Sequence, residues 1–266
     1  MNQEPSFATI EVVRSGAVAR VALSRPDVHN AFDEALIAEL TRAIAMLGAE
    51  EGTRVVVLEG RGRSFCAGAD LNWMKRMAEY SDAENLADAD ALAGMLSALN
   101  RLGKPTIARV HGAAYGGGVG LVACCDIAIG TPDASFALSE ARLGLIPATI
   151  SPYVIEAIGA RAARRFFLTA ERFGADDAKR LGLLHEVVPV AELDDSIDRT
   201  IALLLAAGPR AQAECKVLIA AVAHRPVGEE VVADTARRIA RVRATPEGKE
   251  GVAAFLDKRP AVWTNR

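Results

Sequence analysis

Residues 64–71 (SFCAGADL) and 111–120 (HGAAYGGGVG) decide the fold and the site of this 266-residue chain. Each stretch places small residues where a strand is expected to lead into a helix. The first N–H groups of a helix have no partner within it. Two such helix starts facing one pocket would form an oxyanion hole, which stabilises negative charge on a carbonyl oxygen. One carboxylate, Glu140, follows the second stretch, and the combination predicts enolate chemistry on an activated acyl group.

Composition predicts a large folded core. Hydrophobic residues make up 51% of the chain and charged residues 24%, which argues against disorder. The length suits one large domain, or one domain plus a helical tail. The net charge of −3 argues against a nucleic-acid partner, because such proteins carry a basic surface.

The sequence also predicts a soluble, cytoplasmic protein with no membrane partner. Its first residues, MNQEP, lack the basic and apolar regions of a secretory signal. No uncharged apolar run approaches the roughly 20 residues that a membrane span needs. The four cysteines do not match zinc spacing, so we expect small buried thiols in a reducing compartment and no bound metal.

Strands and helices alternate up to about residue 150, which predicts an α/β fold. Apolar and β-branched runs predict strands at 9–13, 18–23, 54–58, 104–110, 126–129, 136–138 and 185–188. Helical spacing predicts helices at 33–47, 71–79, 82–99, 117–125, 153–158, 162–168, 175–181, 193–206, 211–223, 229–243 and 247–256.

The glycines at 116–120 allow other interpretations. A dinucleotide fingerprint needs the spacing GxGxxG, and this stretch reads GGGVG, so that interpretation is disfavoured although Glu140 lies 20 residues beyond Gly120. The glycines could also have a packing role alone, by allowing a strand to lie close against a helix. Glu140 itself is either partly desolvated, with a raised pKa suited to proton transfer, or a surface residue paired with Arg142 or another cation.

Two residues of the first stretch have alternative roles. Asp70 is a candidate cap for the following helix, which would also fix the N–H of Ala69. Cys66 is not expected to act as a nucleophile, because no histidine lies near it in sequence and its neighbours are apolar.

Nearly the whole chain resembles the crotonase superfamily, which contains the enoyl-CoA hydratases and isomerases. In its sequence motifs it is most similar to the branch of 3-methylglutaconyl-CoA and isohexenylglutaconyl-CoA hydratases. The matching motifs are LSRP (23–26), NAF (30–32), SFCAGADL (64–71), KPTIA (104–108), HG (111–112), GGG (116–118), CDI (125–127), Phe136, Glu140, LG (143–144), Pro147, LTA (168–170), GL (182–183), VV (187–188), EG (250–251), AFL (254–256) and KR (258–259).

The resemblance implies a ClpP-like spiral of ββα units that form two sheets. It implies a core at residues 1–200 that carries the active site, and a C-terminal helical region at 201–266 that forms a trimer or a dimer of trimers. The oxyanion-hole N–H groups fall on Ala69 and Gly117, and the catalytic carboxylate falls on Glu140. Lys258 is expected to reach a neighbouring subunit's nucleotide. The remaining residues implied to bind substrate or coenzyme A are Arg25, His29, Ala31, Ala67, Asp70, Leu71, Asn72 and Gly116.

The chain departs from the two-carboxylate hydratases of this family at one position. Their first glutamate falls on Gly120, which has no side chain. Glu140 alone could then isomerise a double bond, or it could both activate water and return the proton. A third hypothesis places a carboxylate of the substrate itself near the vacant position beside Gly120.

We therefore expect hydration of a branched or carboxylated 2-enoyl-CoA, with coenzyme A as part of the substrate and no other cofactor. Double-bond isomerisation or decarboxylation is the alternative within the family. A non-catalytic acyl-CoA-binding protein is the alternative of a different class.

Overall fold

The computed structural model describes residues 6–265, and most of its strands form one sheet. That six-stranded sheet has the order β1-β2-β3-β4-β6-β9. Its strands are β1 (Ile10–Ser15), β2 (Val18–Leu23), β3 (Val55–Gly60), β4 (Thr106–Val110), β6 (Ile127–Gly130) and β9 (Glu186–Val187). Residues 1–5, on which the expectation of no secretory signal depends, lie outside the described part.

The sheet is antiparallel only at its first pair. β1 and β2 form a hairpin, in which Ser15 faces Val18 and Gly16 takes a φ of 56°. All later pairs are parallel. All six residues of β3 are buried, as expected for a parallel strand covered on both faces.

A second sheet of three strands lies beside the first. It has the order β5-β7-β8, with β5 (Ala113–Tyr115) parallel to β7 (Ser135–Ala137) and β8 (Arg172–Gly174) antiparallel to β7. The sequence did not predict β5 or β8, because these two short stretches lack the apolar runs by which the other strands were predicted.

Helices cover both sheets and then continue to the C-terminus. The first six are α1 (Glu34–Ala49), α2 (Leu71–Met77), α3 (Asp82–Asn100), α4 (Gly117–Cys124), α5 (Ser151–Thr169) and α6 (Ala175–Leu181). The last four are α7 (Leu193–Ala206), α8 (Pro209–Val222), α9 (Glu229–Ala244) and α10 (Pro246–Leu256). Within residues 6–265, no helix is long and apolar enough to cross a membrane.

The α/β prediction is confirmed, and most predicted elements lie within two residues of the observed ones. The two helices predicted at 153–158 and 162–168 instead form α5, which is kinked at Gly159, where φ is 74°. Glycine accommodates that left-handed conformation, so the chain turns without leaving the helix.

The C-terminal helices differ from the rest in how little they bury. α7 packs its Leu193, Ile197 and Ile201 against the large sheet, and residue 200 lies inside this helix. α8 and α9 bury no residue, and Phe255 on α10 is 82% exposed. The division into a core at 1–200 and an assembly region at 201–266 stays a prediction.

Candidate active site

Parallel pairing in the small sheet brings the glycines and Glu140 together. β5 ends at Tyr115 and leads into α4, whereas β7 ends at Ala137, three residues before Glu140. The N–H of Gly116 donates to the carbonyl of Ala137 at 2.8 Å, which ties the two strand ends. The carboxyl ends of neighbouring parallel strands meet at one edge of a sheet, where α/β proteins commonly bind ligands.

The stretch at 64–71 joins this edge through backbone hydrogen bonds. Cys66 forms a parallel bridge with Ala114, in which the Cys66 N–H donates to Ala113 at 3.0 Å and the Tyr115 N–H donates to Cys66 at 2.9 Å. A methyl group built on Gly116 would lie 3.1 Å from Oε1 of Glu140 and 3.9 Å from Cα of Gly68. The three segments therefore meet at Gly116, where φ is 49° and only glycine fits easily.

The two predicted oxyanion-hole donors are unused in the described part of the chain. Phe32 pairs with the residues on both sides of Ala69: its N–H donates to Gly68 at 2.7 Å, and its carbonyl accepts from Asp70 at 2.8 Å. In a parallel bridge of this kind the N–H of Ala69 points away from Phe32. Gly117 is the first residue of α4. Within residues 6–265, neither Ala69 nor Gly117 donates its N–H to another group.

Glu140 begins a short 3₁₀ helix (Glu140–Leu143) and is partly buried. Its Oε2 is buried and accepts no hydrogen bond from the described chain. Burial raises the pKa of the Glu140 carboxyl above its ordinary value, and a hydrogen bond from its own N–H opposes this only in part. The alternative of a surface glutamate paired with Arg142 is wrong, because no ion pair joins these residues in the described chain.

Asp70 caps α2, as expected. Its carboxylate accepts from the N–H of Asn72 at 2.8 Å and of Trp73 at 3.2 Å. Burial acts to raise the pKa of Asp70, but these two N–H groups and the Arg25 guanidinium outweigh it and lower the pKa. The cap fixes the backbone next to Ala69, and Asp70 is itself buried.

Arg25 is engaged within the protein. Its guanidinium lies 2.8 Å from Asp33, which caps α1, and 3.1 Å from Asp70. This pairing links the start of α1 to the start of α2. A role of Arg25 in binding coenzyme A stays a prediction, and the ion pairs give it a structural role in the site.

The other predicted binding residues lie around the same segments, with one exception. His29 is exposed, has a φ of 54°, and its Nδ1 lies 3.0 Å from the hydroxyl of Ser64. Ala67 donates its N–H to His29 at 3.0 Å, and Ala31 is buried next to Phe32. Leu71 and Asn72 are exposed on the first turn of α2.

Lys258 is the exception. It follows α10, is exposed, and has a φ of 52°. Within the described residues its ammonium group has no hydrogen bond or ion pair that links it to this site. Its reach to a neighbouring subunit stays a prediction.

Gly120 does not border an empty space, which corrects one hypothesis. A methyl group built on Gly120 would lie 2.3 Å from Cγ2 of Ile150 and 3.6 Å from Cδ2 of Leu96. Gly120 and Ile150 are both buried. The idea that a substrate carboxylate occupies the space beside Gly120 is therefore wrong, because apolar side chains fill it. The sequence around 120 gave no signal for this contact, since Ile150 lies 30 residues away on the far side of Glu140.

Cys66 is unsuited to nucleophilic attack, as expected. Burial raises the pKa of its thiol to about 12, so the reactive thiolate is scarce at neutral pH.

Comparison with known proteins agrees with this geometry. The sequence model of the enoyl-CoA hydratase/isomerase family matches residues 13–266. The enoyl-CoA hydratase ACTT6 of Alternaria alternata is 35% identical over 257 residues, which cover 95% of this chain and 83% of that protein.

Solved structures extend the likeness to the fold. An enoyl-CoA hydratase from Shewanella pealeana is 43% identical, with a TM-score of 0.94 over 97% of this chain and 96% of that one. An enoyl-CoA hydratase from Mycobacterium smegmatis is 36% identical, with a TM-score of 0.90 over 96% and 99%. The buried carboxylate, the two unused N–H groups and these likenesses agree: the chain has the crotonase fold and belongs to the enoyl-CoA hydratase/isomerase family of enzymes.

Proposed function

We propose that the protein hydrates a 2-enoyl-CoA thioester with a branched or carboxylated acyl chain. Ala69 and Gly117 are the oxyanion-hole donors of this proposal, and Glu140 is its acid and base. The observation that carries the proposal is the Glu140 carboxyl group: its Oε1 lies beside Gly116, and its buried Oε2 has no hydrogen-bond partner within residues 6–265. Burial raises the pKa of this carboxyl group, and no ion pair within residues 6–265 opposes the shift, which suits Glu140 to take up and release a proton.

The thioester oxygen accepts hydrogen bonds from Ala69 and Gly117 in this mechanism. As water adds to Cβ, the π electrons of the double bond move toward the carbonyl and form an enolate. Both N–H groups stabilise the charge that develops on the oxygen. Gly117 stands at the first position of α4, so the positive end of the helix dipole adds to this stabilisation.

Glu140 handles both protons. Its carboxylate takes one proton from water as the oxygen–Cβ bond forms, and the resulting carboxylic acid gives a proton to Cα as the enolate collapses. The product is a 3-hydroxyacyl-CoA, and Glu140 returns to its starting state. Coenzyme A enters and leaves as part of substrate and product, and the steps need no other cofactor.

Exposed apolar side chains next to the site support a branched acyl chain. Leu71 and Leu143, which follow the Ala69 and Glu140 segments, are 75% and 57% exposed. For a carboxylated chain, Arg142 is a candidate partner, since it is exposed two residues after Glu140. The space beside Gly120 offers no place for that carboxylate.

Isomerisation of a 3-enoyl-CoA is the second candidate, and the packing of Gly120 favours it. A side chain at position 120 would meet Ile150, so no second carboxylate from this position can hold water. A single carboxyl group that takes a proton from one carbon and returns it to another is sufficient for isomerisation.

A panel of thioesters tests both candidates by mass spectrometry. It contains an unbranched 2-enoyl-CoA, a 3-methyl-2-enoyl-CoA, 3-methylglutaconyl-CoA and a 3-enoyl-CoA. We expect the branched or carboxylated 2-enoyl substrates to gain one water most rapidly. An absorbance change of the 3-enoyl-CoA without a mass change would identify an isomerase, and loss of carbon dioxide would identify a decarboxylase. No turnover of any thioester would contradict the proposal.

A further inference from the structure

We propose that Phe32 is a positioning residue that sets the spacing between the two oxyanion-hole donors. The inference rests on the proposed function, since it concerns the same two N–H groups. Phe32 is 1% exposed and lies just before α1, far in sequence from the segments that carry the donors. Its main chain holds one donor segment, and its ring contacts the other.

The main-chain contact fixes Ala69. Phe32 donates to Gly68 and accepts from Asp70, so the residue between them can rotate little. Both hydrogen bonds are short for N–H···O contacts, at 2.7 and 2.8 Å. The N–H of Ala69 therefore takes its direction from the peptide plane that Phe32 holds.

The ring contact fixes Gly117. A methyl group built on Gly117 would lie 2.6 Å from Cε2 and 2.8 Å from Cδ2 of Phe32. The ring edge thus lies against the first turn of α4, closer than any larger residue at 117 would permit. The start of α4 cannot move toward Phe32, and Gly118 is restrained on another side by the carbonyl of Cys66.

Other links hold the two segments together, but not at the donors themselves. The bridge between Cys66 and Ala114 lies three residues before each donor. The Arg25 pairs with Asp33 and Asp70 anchor the residues that follow Phe32 and Ala69. Phe32 reaches both donor segments with its own atoms, through its hydrogen bonds to Gly68 and Asp70 and its ring contact at Gly117, and so adds to the direct contact between Gly68 and Gly116. Because misplacing a reacting group by about 1 Å can cost about 100-fold in rate, this spacing matters for catalysis.

Phe32→Leu tests the proposal, with Phe166→Leu as the matched control. Phe166 is also buried and packs on Phe173 with ring centroids 4.2 Å apart, away from both donors. The probe is hexanoyl-CoA labelled with ¹³C at the thioester carbonyl, which cannot react but reports carbonyl polarisation by NMR. We expect Phe32→Leu to lower kcat about 10-fold or more with little change in KM, and to reduce the downfield shift of the bound carbonyl. Phe166→Leu should lower stability without changing that shift.

A second pair of variants tests the contact from the side of α4. Gly117→Ala keeps the N–H but adds a methyl group that meets the ring, so we expect it to reduce kcat and the carbonyl shift as Phe32→Leu does. Gly94→Ala in α3 is its control, because a methyl group there meets nothing within 4 Å. This pair decides the question even where Phe32→Leu does not fold.

The outcomes separate this inference from the proposed function. A wild-type carbonyl shift in Phe32→Leu and Gly117→Ala overturns the role of Phe32 while leaving the proposed function intact. Equal losses of kcat in Phe32→Leu and Phe166→Leu do the same. A wild-type protein that neither polarises the probe nor turns over any thioester contradicts both.

Discussion

At the scale of the residue, substitution of Glu140 tests the proposed proton transfer. Glu140→Gln keeps the size of the side chain but cannot exchange a proton with substrate. We expect turnover to fall by roughly 10²- to 10⁴-fold, the usual contribution of general acid–base catalysis. Steady-state kinetics on the best thioester of the panel measures this, with exposed Glu79→Gln as the control. Unchanged turnover in Glu140→Gln would assign the proton steps to another group.

The pH dependence of stability follows from the same carboxyl group. Burial raises the pKa of Glu140 in the folded chain above its ordinary value of 4.5. The folded state then binds this proton more tightly than the unfolded state does. Its contribution to the free energy of unfolding is complete below pH 4.5 and is lost as the pH rises through the folded pKa.

Glu140→Gln should therefore gain stability relative to the wild-type protein as the pH rises from about 4.5 toward 8. Urea unfolding at several pH values measures the difference between the two proteins. A constant difference across this range would show that the carboxylate is better solvated than its burial indicates.

At the scale of the element, the packing of α4 against the start of α5 is the feature to test. Alanine usually stabilises a helix interior by about 0.5–1 kcal/mol relative to glycine. At position 120 the added methyl group would meet Cγ2 of Ile150 at 2.3 Å. We expect Gly120→Ala to lower the free energy of unfolding by about 1–3 kcal/mol, the usual cost of overpacking.

A double-mutant cycle isolates this contact. Ile150→Ala alone should cost about 2–5 kcal/mol, because it leaves a cavity. Gly120→Ala should cost less in the Ile150→Ala background than in the wild-type protein, since the methyl group then has room. Additive effects of the two substitutions would mean that Ile150 does not restrict position 120.

The elements also show what can be inferred from sequence. Periodicity and capping residues located α1 and α2, because Asp33 and Asp70 are typical caps before apolar helical patterns. Apolar and β-branched runs located most of the strands. β5 was not predicted, although its pairing with β7 places Glu140 next to the glycines at 116–118. Its three residues, Ala113–Tyr115, lack a pattern, and only tertiary pairing makes them a strand. The site residues came from motif resemblance, whereas the contact between Gly120 and Ile150 required the packed structure.

At the scale of the whole molecule, we propose a trimer or a dimer of trimers assembled through residues 201–266. The apolar side chains of α8–α10 support it: Ile219, Val232 and Phe255 are 59%, 57% and 82% exposed. Large exposed apolar patches commonly mark protein–protein interaction surfaces. The ammonium group of Lys258, which has no ion pair within residues 6–265, would then reach a neighbouring subunit.

Phe255→Asp tests this assembly. We expect the wild-type protein to sediment at three or six times the monomer mass, and Phe255→Asp to shift toward the monomer. Leu168→Asp, at a residue 79% exposed on α5 outside the assembly region, is the control. A wild-type monomer in analytical ultracentrifugation would contradict the proposal. Loss of assembly in Leu168→Asp alone would place the interface elsewhere.

The distribution of thiols offers a chemical handle on the intact protein. Cys66, Cys124 and Cys125 are buried, whereas Cys215 is exposed on α8. In a monomer, a maleimide dye should therefore modify one sulfur per chain. Because Cys215 lies one turn before Ile219 on α8, assembly through this helix would slow its labelling, so the labelling rate at low and high protein concentration would report whether the chains come together there.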